Sequence, residues 1–217
     1  MSARARCSST PFSTHPRLAE DWQSLLNVSV QEPAAKVHRL RSRNVFTIEL
    51  LAKKHNRAAF VCGVEALDNY LKKQASQDVA KRAAACFVAT PDGVTVAGFY
   101  TISQYSVDPG KLPEAFSKKL PKCPQLPATL LGRLAASSQF RGQKLGELLL
   151  LDALQRSWKQ SKQIASTAVI VDAKDEAATS FYEHFNFLSL PAIPNRLFLP
   201  MRTIEKLFGR STPAPES

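Results

Sequence analysis

An α/β domain with a mixed central sheet flanked by helices is the fold class that the sequence predicts. Three observations lead to this class. Short β-branched segments alternate with helical segments in the second half of the chain, a hairpin turn joins two apolar segments in the first half, and there are no internal repeats. The 217 residues suffice for one such domain with a sizeable core and an appendage.

The first half of the domain is expected to run in the order strand, helix, hairpin. Residues 44–51 form a first strand or a strand–helix junction, and residues 63–75 form a helix because their apolar side chains recur at helical spacing. Residues 86–90 then form a strand, which turns through Pro91–Asp92–Gly93 into a returning strand over 94–107.

The second half begins with a loop and continues as alternating strands and helices. Residues 109–127 contain five prolines, so at most one short helix is expected there, at 114–120. The alternation that follows makes the predicted sheet a mixed one. Its elements are a strand at 129–136, a turn at 137–146, a helix at 147–159, a strand at 164–172, a helix at 175–185 and a final strand at 196–201.

The chain is expected to have three parts: an N-terminal extension at 1–44, the domain at 45–208 and a flexible tail at 209–217. The extension is predicted to be partly disordered, with short helices at 18–26 and 33–40. Its first 17 residues are rich in Ser, Thr and Arg and contain no acid. A transit-like segment, a disordered tail and a misplaced start all remain open interpretations.

Composition narrows the class of protein. The net charge of +11 favours a polyanionic partner, although many basic proteins have none. No apolar run approaches the roughly 20 residues that a membrane-spanning helix needs. The cysteines show neither zinc-ligand spacing nor a disulfide framework, so we expect no metal site and reduced thiols in a cytoplasmic protein. They are Cys7, Cys62, Cys86 and Cys123.

The clearest chemical pattern lies between the strand at 129–136 and the helix at 147–159. The connecting residues end in Arg141–Gly142–Gln143–Lys144–Leu145–Gly146. A glycine-containing turn at a helix N-terminus presents backbone N–H groups and the positive end of the helix dipole to a phosphate. Neither the Rossmann nor the P-loop pattern fits. From these residues alone, a phosphate site and an ordinary turn with a basic rim both remain open.

This turn resembles the cofactor signature of the GNAT N-acetyltransferases, [Q/R]-x-x-G-x-[G/A]. Arg141 matches the first position and Gly146 the last, whereas Lys144 stands where the family usually has glycine. The resemblance implies the GNAT acyl-CoA N-acyltransferase fold, with acetyl-CoA as cosubstrate. The lysine removes one close approach of the backbone to the diphosphate, but it can offer its own charge.

A second motif, over 175–187, is similar to the family pattern N-x-x-A-x-x-x-Y-x-x-x-G-F. Asp175 replaces the usual Asn and suits a helix N-cap, and Asn186 replaces the usual Gly and suits a left-handed position at the helix C-terminus. Tyr182 lies in an aromatic run, which on its own favours a core role. The family position instead implies that Tyr182 is catalytic and protonates the leaving thiolate.

The same resemblance implies which residues contact the cofactor. They lie at the end of the strand, in the turn and at the start of the second helix: Leu134, Ala135, Arg141, Gly142, Gln143, Lys144, Leu145, Gly146, Asp175 and Ala178.

Further segments resemble the GNAT toxins of the TacT and AtaT type. Residues 60–71 are similar to F-x-C-G-x-x-x-L-D-x-[FY]-L, and the segments 86–89, 98–101, 131–135 and 171–175 follow in the order found in that subfamily. The subfamily implies acetylation of the α-amine of aminoacyl-tRNA, which blocks translation. It also implies a ribbon-helix-helix antitoxin as partner and allows a homodimer. The segment 18–43 is itself similar to the tail of such an antitoxin.

Five basic residues are candidates for contacting the tRNA, each with an alternative. Arg133, on the strand before the turn, would meet the acceptor end or form a structural salt bridge. Lys72, Lys73, Lys81 and Arg82 would form a tRNA face or simply a solvated surface. Two other functions also remain open at this point: acetylation of a small amine or protein N-terminus, and a non-catalytic binding module.

Overall fold

A seven-stranded mixed sheet forms the centre of the protein in the computed structural model, which describes residues 46–118, 120, 123–190 and 193–208. The strands lie in the order β1-β2-β3-β4-β5-β7-β6, and β4 and β5 are the parallel pair among antiparallel neighbours. The fold class is therefore confirmed. The strands are β1 (Thr47–Leu50), β2 (Ala85–Thr90), β3 (Gly98–Val107), β4 (Leu126–Ala136), β5 (Ala168–Asp172), β6 (Leu188–Ser189) and β7 (Arg196–Pro200).

Helices cover both faces of this sheet. They are α1 (Glu65–Asn69), which continues through a π-helical turn (Tyr70–Gln74) into α2 (Ala75–Ala80), then α3 (Glu114–Ser117), α4 (Leu145–Ser161), α5 (Glu176–His184) and α6 (Met201–Phe208). Short 3-10 turns occupy Pro109–Lys111 and Ser138–Phe140. None of the helices in the described ranges has the length and apolar character needed to cross a membrane.

One side of the sheet, called face A below, carries the helices α1 and α2. Cys86, Thr101 and Arg133 lie side by side on it, because Cys86 pairs with Thr101 and Thr101 pairs with Arg133. The π-helical turn buries Tyr70 and Leu71 against this face. The long helix α4 packs on the opposite face, where the Tyr100 hydroxyl donates a hydrogen bond to Asp152. The two faces of the sheet therefore carry different side chains and are covered by different helices.

The centre of the sheet is interrupted where β4 meets β5. The parallel pairing covers only Thr129 to Leu131 of β4, while β4 itself continues to Ala136. At the same level a bulge places Gly132 as an extra residue between the pairs that join β4 to β3. A Cβ atom on Gly132 would lie 3.3 Å from the Thr101 hydroxyl oxygen, which favours glycine there. The pairing of β4 with β5 therefore ends at Leu131, and the rest of β4 extends beyond it.

For two strands, the predicted first residue lies before the first residue of the observed strand. The strand expected at 94–107 begins at Gly98, because the Asp92 carboxylate accepts the N–H groups of Val94 and Thr95 at 2.8 and 2.6 Å and holds them in a turn. The strand expected at 164–172 begins at Ala168, because the N–H of Ile164 still bonds to the end of α4. In both cases β-branched residues serve a turn rather than a strand.

Helix boundaries also differ from the predictions. The helix expected at 63–75 is interrupted by the π-helical turn and ends at Ala80, and the one expected at 147–159 starts two residues earlier, at Leu145. The short helix expected at 114–120 ends at Ser117. The strand expected at 129–136 starts at Leu126, and the one expected at 196–201 ends at Pro200, where the unpredicted helix α6 follows. The short strand β6 was not predicted either.

The predictions for the chain ends lie outside the described residues. These are the N-terminal extension at 1–44, with its helices at 18–26 and 33–40, and the tail at 209–217.

Candidate active site

The turn before α4 presents an uncapped helix N-terminus. Lys144 is the N-cap residue, with φ 54° and ψ 25°, and no side chain in the described part of the chain caps the helix. Gly142 also has a positive φ, 76°. Because two residues of the turn adopt the left-handed conformation, the chain folds back sharply and leaves the first N–H groups of α4 pointing out of the helix. Arg141, Gly142, Gln143 and Lys144 are all exposed at this point.

Lys144 has the backbone conformation that explains why glycine is usual at this position. A left-handed conformation costs an L-residue roughly 1–2 kcal/mol, a cost that glycine does not incur. The Lys144 side chain is 62% exposed, and its ammonium lies 3.9 Å from a carboxylate oxygen of Glu147. An exposed side chain this loosely held remains available to an anion at the turn.

Helix α5 adjoins the start of α4. A Cβ atom on Gly146, in the first turn of α4, would lie 3.9 Å from Cζ of Phe181. The Phe181 ring in turn packs edge-on against Tyr182, with 5.3 Å between the ring centroids. Through this contact the structure brings the predicted catalytic tyrosine to the helix whose first turn holds Gly146.

Tyr182 combines a buried ring with an accessible hydroxyl. Its side chain packs against Phe187, and burial raises its pKa to about 12. No hydrogen bond to the Tyr182 hydroxyl occurs among the described residues, yet no fully buried side-chain polar atom there lacks a partner. The oxygen therefore retains contact with solvent. A phenol in this state is protonated at neutral pH and can donate its proton outward.

The caps of α5 agree with the predictions made for them. The Asp175 carboxylate accepts the N–H of Ala178 at 2.8 Å, so Asp175 is the N-cap. Contact with Lys174 and this N–H hold the pKa of Asp175 below its usual value. Asn186 has φ 62° and takes the left-handed position after the helix. For Asp175 and Ala178 these contacts give a structural reason for the motif that is independent of a ligand.

Leu134 and Ala135 lie on β4 beyond the last residue that pairs with β5. Ala135 packs into the apolar cluster of face A, and Leu134 points to the opposite face. What these two residues can offer a ligand is therefore the backbone of β4 on its β5 side. An extended chain with amide groups suits such a strand edge.

Among the predicted substrate-binding residues, Arg133 has the most defined geometry. Its guanidinium carbon lies 3.6 Å from the centroid of the Tyr70 ring, and the Tyr70 hydroxyl donates to the Asp78 carboxylate at 2.9 Å. No carboxylate forms an ion pair with Arg133 in the described ranges. The structural salt bridge considered from the sequence is therefore replaced by a cation–π contact, which orients the guanidinium without neutralising it.

The other four predicted cations are not equivalent. Lys72 is half-buried on the π-helical turn, whereas Lys73, Lys81 and Arg82 are exposed around and beyond α2. Lys72 lines a pocket, together with Arg57. Arg57 was not predicted from the sequence, because it lies in a loop without a motif. Only the folding of that loop next to the π-helical turn reveals it.

A second arginine that was not predicted is the first residue of β7, on face A, opposite the last residue of β5. Arg196 donates to both carboxylate oxygens of Asp172, at 2.5 and 2.8 Å, and to the Tyr105 hydroxyl at 2.6 Å. Cross-strand pairing accounts for the contact with Asp172, since the two residues are register partners. Unlike Arg133, Arg196 is neutralised, and its contacts link β7 to β5 and to Tyr105 of β3.

These features suit an anionic ligand with an extended chain. The uncapped start of α4 and its rim of Arg141 and Lys144 suit a diphosphate, and the free stretch of β4 suits an amide-containing chain. No group of His, Cys, Asp and Glu side chains in the described ranges is arranged to hold a metal ion.

Comparison with known proteins agrees with this geometry. Residues 48–187 match the acetyltransferase (GNAT) family. A protein named probable toxin TacT from Sinorhizobium fredii is 37% identical over 164 residues, which cover 72% of this chain and 91% of the relative. A tRNA-acetylating toxin from Mycobacterium tuberculosis is 34% identical over 151 residues, covering 70% of this chain and 89% of the relative.

Solved structures show the same fold. AtaT complexed with acetyl-methionyl-tRNAfMet superposes with a TM-score of 0.71 at 28% identity, over 75% of this chain and 99% of that one. A tyrosine-to-phenylalanine variant of AtaT, bound to the C-terminus of the antitoxin AtaR and acetyl-CoA, has a TM-score of 0.65 at 26% identity, over 76% and 98% of the two chains. By fold, site geometry and sequence match, the chain described here belongs to the GNAT acetyltransferase family.

Proposed function

We propose that this enzyme transfers the acetyl group of acetyl-CoA to the α-amine of an aminoacyl-tRNA, and that it acts in the cytoplasm as the toxin of a toxin–antitoxin pair. The observation that carries the proposal is the state of the Tyr182 hydroxyl. It is protonated and has no hydrogen-bond partner in the described ranges. The Tyr182 ring packs against Phe181, which lies beside Gly146. The relatives named for tRNA acetylation and the AtaT complex with acetylated tRNA support this substrate class.

The start of α4 is assigned to the diphosphate of acetyl-CoA. Backbone N–H groups of Leu145 and Gly146 and the helix dipole would face the phosphate oxygens, with Arg141 and Lys144 adding charge. The backbone of Leu134 and Ala135 would hold the amide chain that leads to the thioester. This arrangement aims the reactive end of the coenzyme along β4.

Tyr182 is assigned the role of general acid. When bound, acetyl-CoA supplies an acetyl group activated as a thioester. As the new C–N bond forms and the C–S bond breaks, the Tyr182 O–H would donate its proton to the departing sulfur. The amine loses one proton in the same reaction, and that proton restores the phenol by way of solvent.

A strong general base is not required for an aminoacyl ester. The α-amine of such a substrate is substantially neutral near pH 7, because its pKa is lower than that of a lysine side chain. The protein therefore has to orient the amine and to protonate the leaving group. Arg133, held over Tyr70 and without an ion pair in the described ranges, is assigned to the acceptor end of the tRNA.

The decisive experiment is acetylation of charged tRNA. The purified full chain, incubated with acetyl-CoA and a mixture of aminoacyl-tRNAs, should yield N-acetyl-aminoacyl-tRNA, detected after nuclease digestion by mass spectrometry. The rate should fall steeply with salt, since a tRNA substrate brings many phosphates. A protein that binds acetyl-CoA but modifies no charged tRNA, or one that acetylates small amines at a rate insensitive to salt, would contradict the proposal.

A toxin also predicts a partner. The AtaT structure with the C-terminus of AtaR supports an antitoxin segment as the natural inhibitor. We expect a ribbon-helix-helix protein encoded beside this chain to abolish acetylation when added in equal amount. Undiminished acetylation in its presence would count against the pairing.

A further inference from the structure

A pocket of about 380 Å³ lies on the edge of face A, where the loop after β1 meets the π-helical turn. It is called the Arg57 pocket below, and it is lined by His55, Asn56, Arg57, Ala58 and Lys72. The loop is pinned in place because the Asn56 N–H donates to the carbonyl of Val94 at 2.8 Å. The pocket is therefore formed by a loop that is fixed to the rest of the domain.

The acid that contacts the pocket through His55 is already engaged. Glu49 pairs with the Lys54 ammonium at 2.7 Å and with His55 Nε2 at 3.0 Å. His55 Nδ1 accepts the N–H of Ala52 at 2.9 Å, so the ring proton lies on Nε2, and a neutral His55 donates to Glu49. These contacts lower the pKa of Glu49 and keep it ionised. Its charge is shared by Lys54 and His55 rather than by Arg57.

Arg57 and Lys72 leave the pocket with an uncompensated positive charge. Both are half-buried, no carboxylate lines the pocket, and neither residue forms an ion pair within the described ranges. The Arg57 guanidinium donates to the Ser76 hydroxyl, which holds its position without neutralising it. Two cations held together without a counter-ion indicate a site for an anion.

Arg57 of the pocket and Arg133 of β4 both act on Cys86, which lies on face A in line with Thr101 and Arg133. Burial raises the pKa of the Cys86 thiol to about 12, and the charges of both Arg57 and Arg133 act on it in the opposite direction. Cys86 therefore lies within electrostatic reach of both guanidinium groups, and the Asp78 carboxylate acts on it as well. Arg133 directly follows the bulge at Gly132 on β4. Together with Arg57 and Lys72 it forms a group of basic residues that extends from this bulge to the Arg57 pocket.

We propose that the Arg57 pocket binds a backbone phosphate of the tRNA acceptor arm while Arg133 meets the 3′ end, an assignment that rests on the proposed function. An acceptor strand that places its last residue at the thioester must leave the site along some path. The Arg57 guanidinium and the Lys72 ammonium lie along the proposed path. Their geometry and charge suit a phosphodiester.

The test is the binding of uncharged tRNA by the full-length protein at several salt concentrations. Arg57→Ala and Lys72→Ala should each weaken binding, and each should reduce the slope of log K against log[salt] by about 0.7–0.9 for every phosphate that the protein no longer neutralises. Acetyl-CoA affinity should stay at the wild-type value. The matched control is Lys159→Ala, an exposed lysine near the end of α4, which should change the slope much less.

Three outcomes overturn the proposal. The first is wild-type affinity and salt slope in both variants. The second is an equal effect of Lys159→Ala, which would indicate a diffuse field rather than a site. The third is a loss of acetyl-CoA affinity, which would assign the pocket to the coenzyme. If Arg57→Ala fails to fold for want of its bond to Ser76, Lys72→Ala decides, since no hydrogen bond to its side chain occurs among the described residues.

The pocket and the proposed function can fail separately. A wild-type protein that binds tRNA through Arg57 and Lys72 but acetylates no charged tRNA would refute the function and leave the pocket standing. Acetylation of charged tRNA that is indifferent to both substitutions would do the reverse.

Discussion

At the scale of single residues, Tyr182 combines a buried ring with an accessible hydroxyl, which suits the proton transfer that we propose for it. The aromatic run around it is a core feature, as such runs usually are, because Phe181 and Phe187 pack against the ring and Phe185 packs against Phe181. The hydroxyl is nevertheless left without a partner in the described ranges. The core and catalytic interpretations of Tyr182 are therefore compatible: the ring is held by the core, and the oxygen faces outward.

Tyr182→Phe is expected to keep acetyl-CoA binding and to lower kcat by at least about 100-fold, since it removes one proton donor and nothing else. Calorimetry with acetyl-CoA and single-turnover acetylation measure the two effects. Tyr100→Phe is the control, because its hydroxyl donates to Asp152 on the opposite face. That variant should lose about 1–2 kcal/mol of stability but keep its turnover. Unchanged turnover in Tyr182→Phe would remove this residue from the acid role.

The left-handed Lys144 leads to a second prediction at this scale. Lys144→Gly should raise the free energy of unfolding by up to about 1 kcal/mol, because relief of a cost of roughly 1–2 kcal/mol outweighs the added chain entropy of about 0.5–1 kcal/mol. Denaturant unfolding measures the change. Lys159→Gly makes the same substitution in the right-handed helix α4 and should instead cost roughly 0.5–1 kcal/mol. Equal signs in the two variants would show that the backbone of residue 144 is not strained.

At the scale of elements, the start of α4 lies beside helix α5. Gly146 has space for a small side chain, since a Cβ atom there makes ordinary contact with Phe181 at 3.9 Å. A large side chain has to fill the space in front of the helix N-terminus or displace Phe181. The same glycine thus connects the proposed diphosphate site to the helix that carries Tyr182.

Gly146→Trp is expected to lower acetyl-CoA affinity at least about tenfold, equivalent to about 1.4 kcal/mol, because the indole occupies the proposed phosphate position. Gly146→Ala, the matched control, should retain most of the affinity. Both dissociation constants can be measured by calorimetry on variants whose thermal unfolding shows that they are folded. Tight binding by the tryptophan variant would place the coenzyme elsewhere.

At the scale of the whole molecule, the free energy of unfolding depends on pH in the alkaline range because of buried tyrosine hydroxyls. Burial raises the pKa of Tyr182 to about 12, and it also raises the pKa of Tyr70 and Tyr100. In the unfolded chain these groups ionise near pH 10. Between the two pKa values the folded state binds more protons than the unfolded state, so stability is fully present below about pH 10 and is lost as the pH rises.

We therefore expect the free energy of unfolding to fall above about pH 10, with Tyr182 contributing about 1.4 kcal/mol per pH unit until it ionises in the folded state. Urea unfolding at a series of pH values measures the slope, and Tyr182→Phe should make it shallower by that amount. Tyrosinate absorbance reports the ionisation directly. A variant with the wild-type slope would mean that the Tyr182 ring is not buried.

Local sequence patterns were sufficient to predict the fold class, and the resemblance of the motifs was sufficient to predict the family. The mixed sheet, the N-cap at Asp175 and the left-handed Asn186 all follow from periodicity and from backbone preferences that act over a few residues. Element boundaries were harder to predict, because β-branched residues such as Val94 and Ile164 entered turns through hydrogen bonds to side chains or to a neighbouring helix end.

The way in which separate segments meet depends on tertiary packing. This packing brings Phe181 against Gly146, places Arg133 over Tyr70 rather than in an ion pair, and pairs Arg57 with Lys72 in one pocket. None of these contacts has a signal in the local sequence, because each joins residues from different elements through the packing of helices on the sheet. Sequence periodicity reports which side of an element is buried, whereas the partner on that side is set by the closed three-dimensional arrangement.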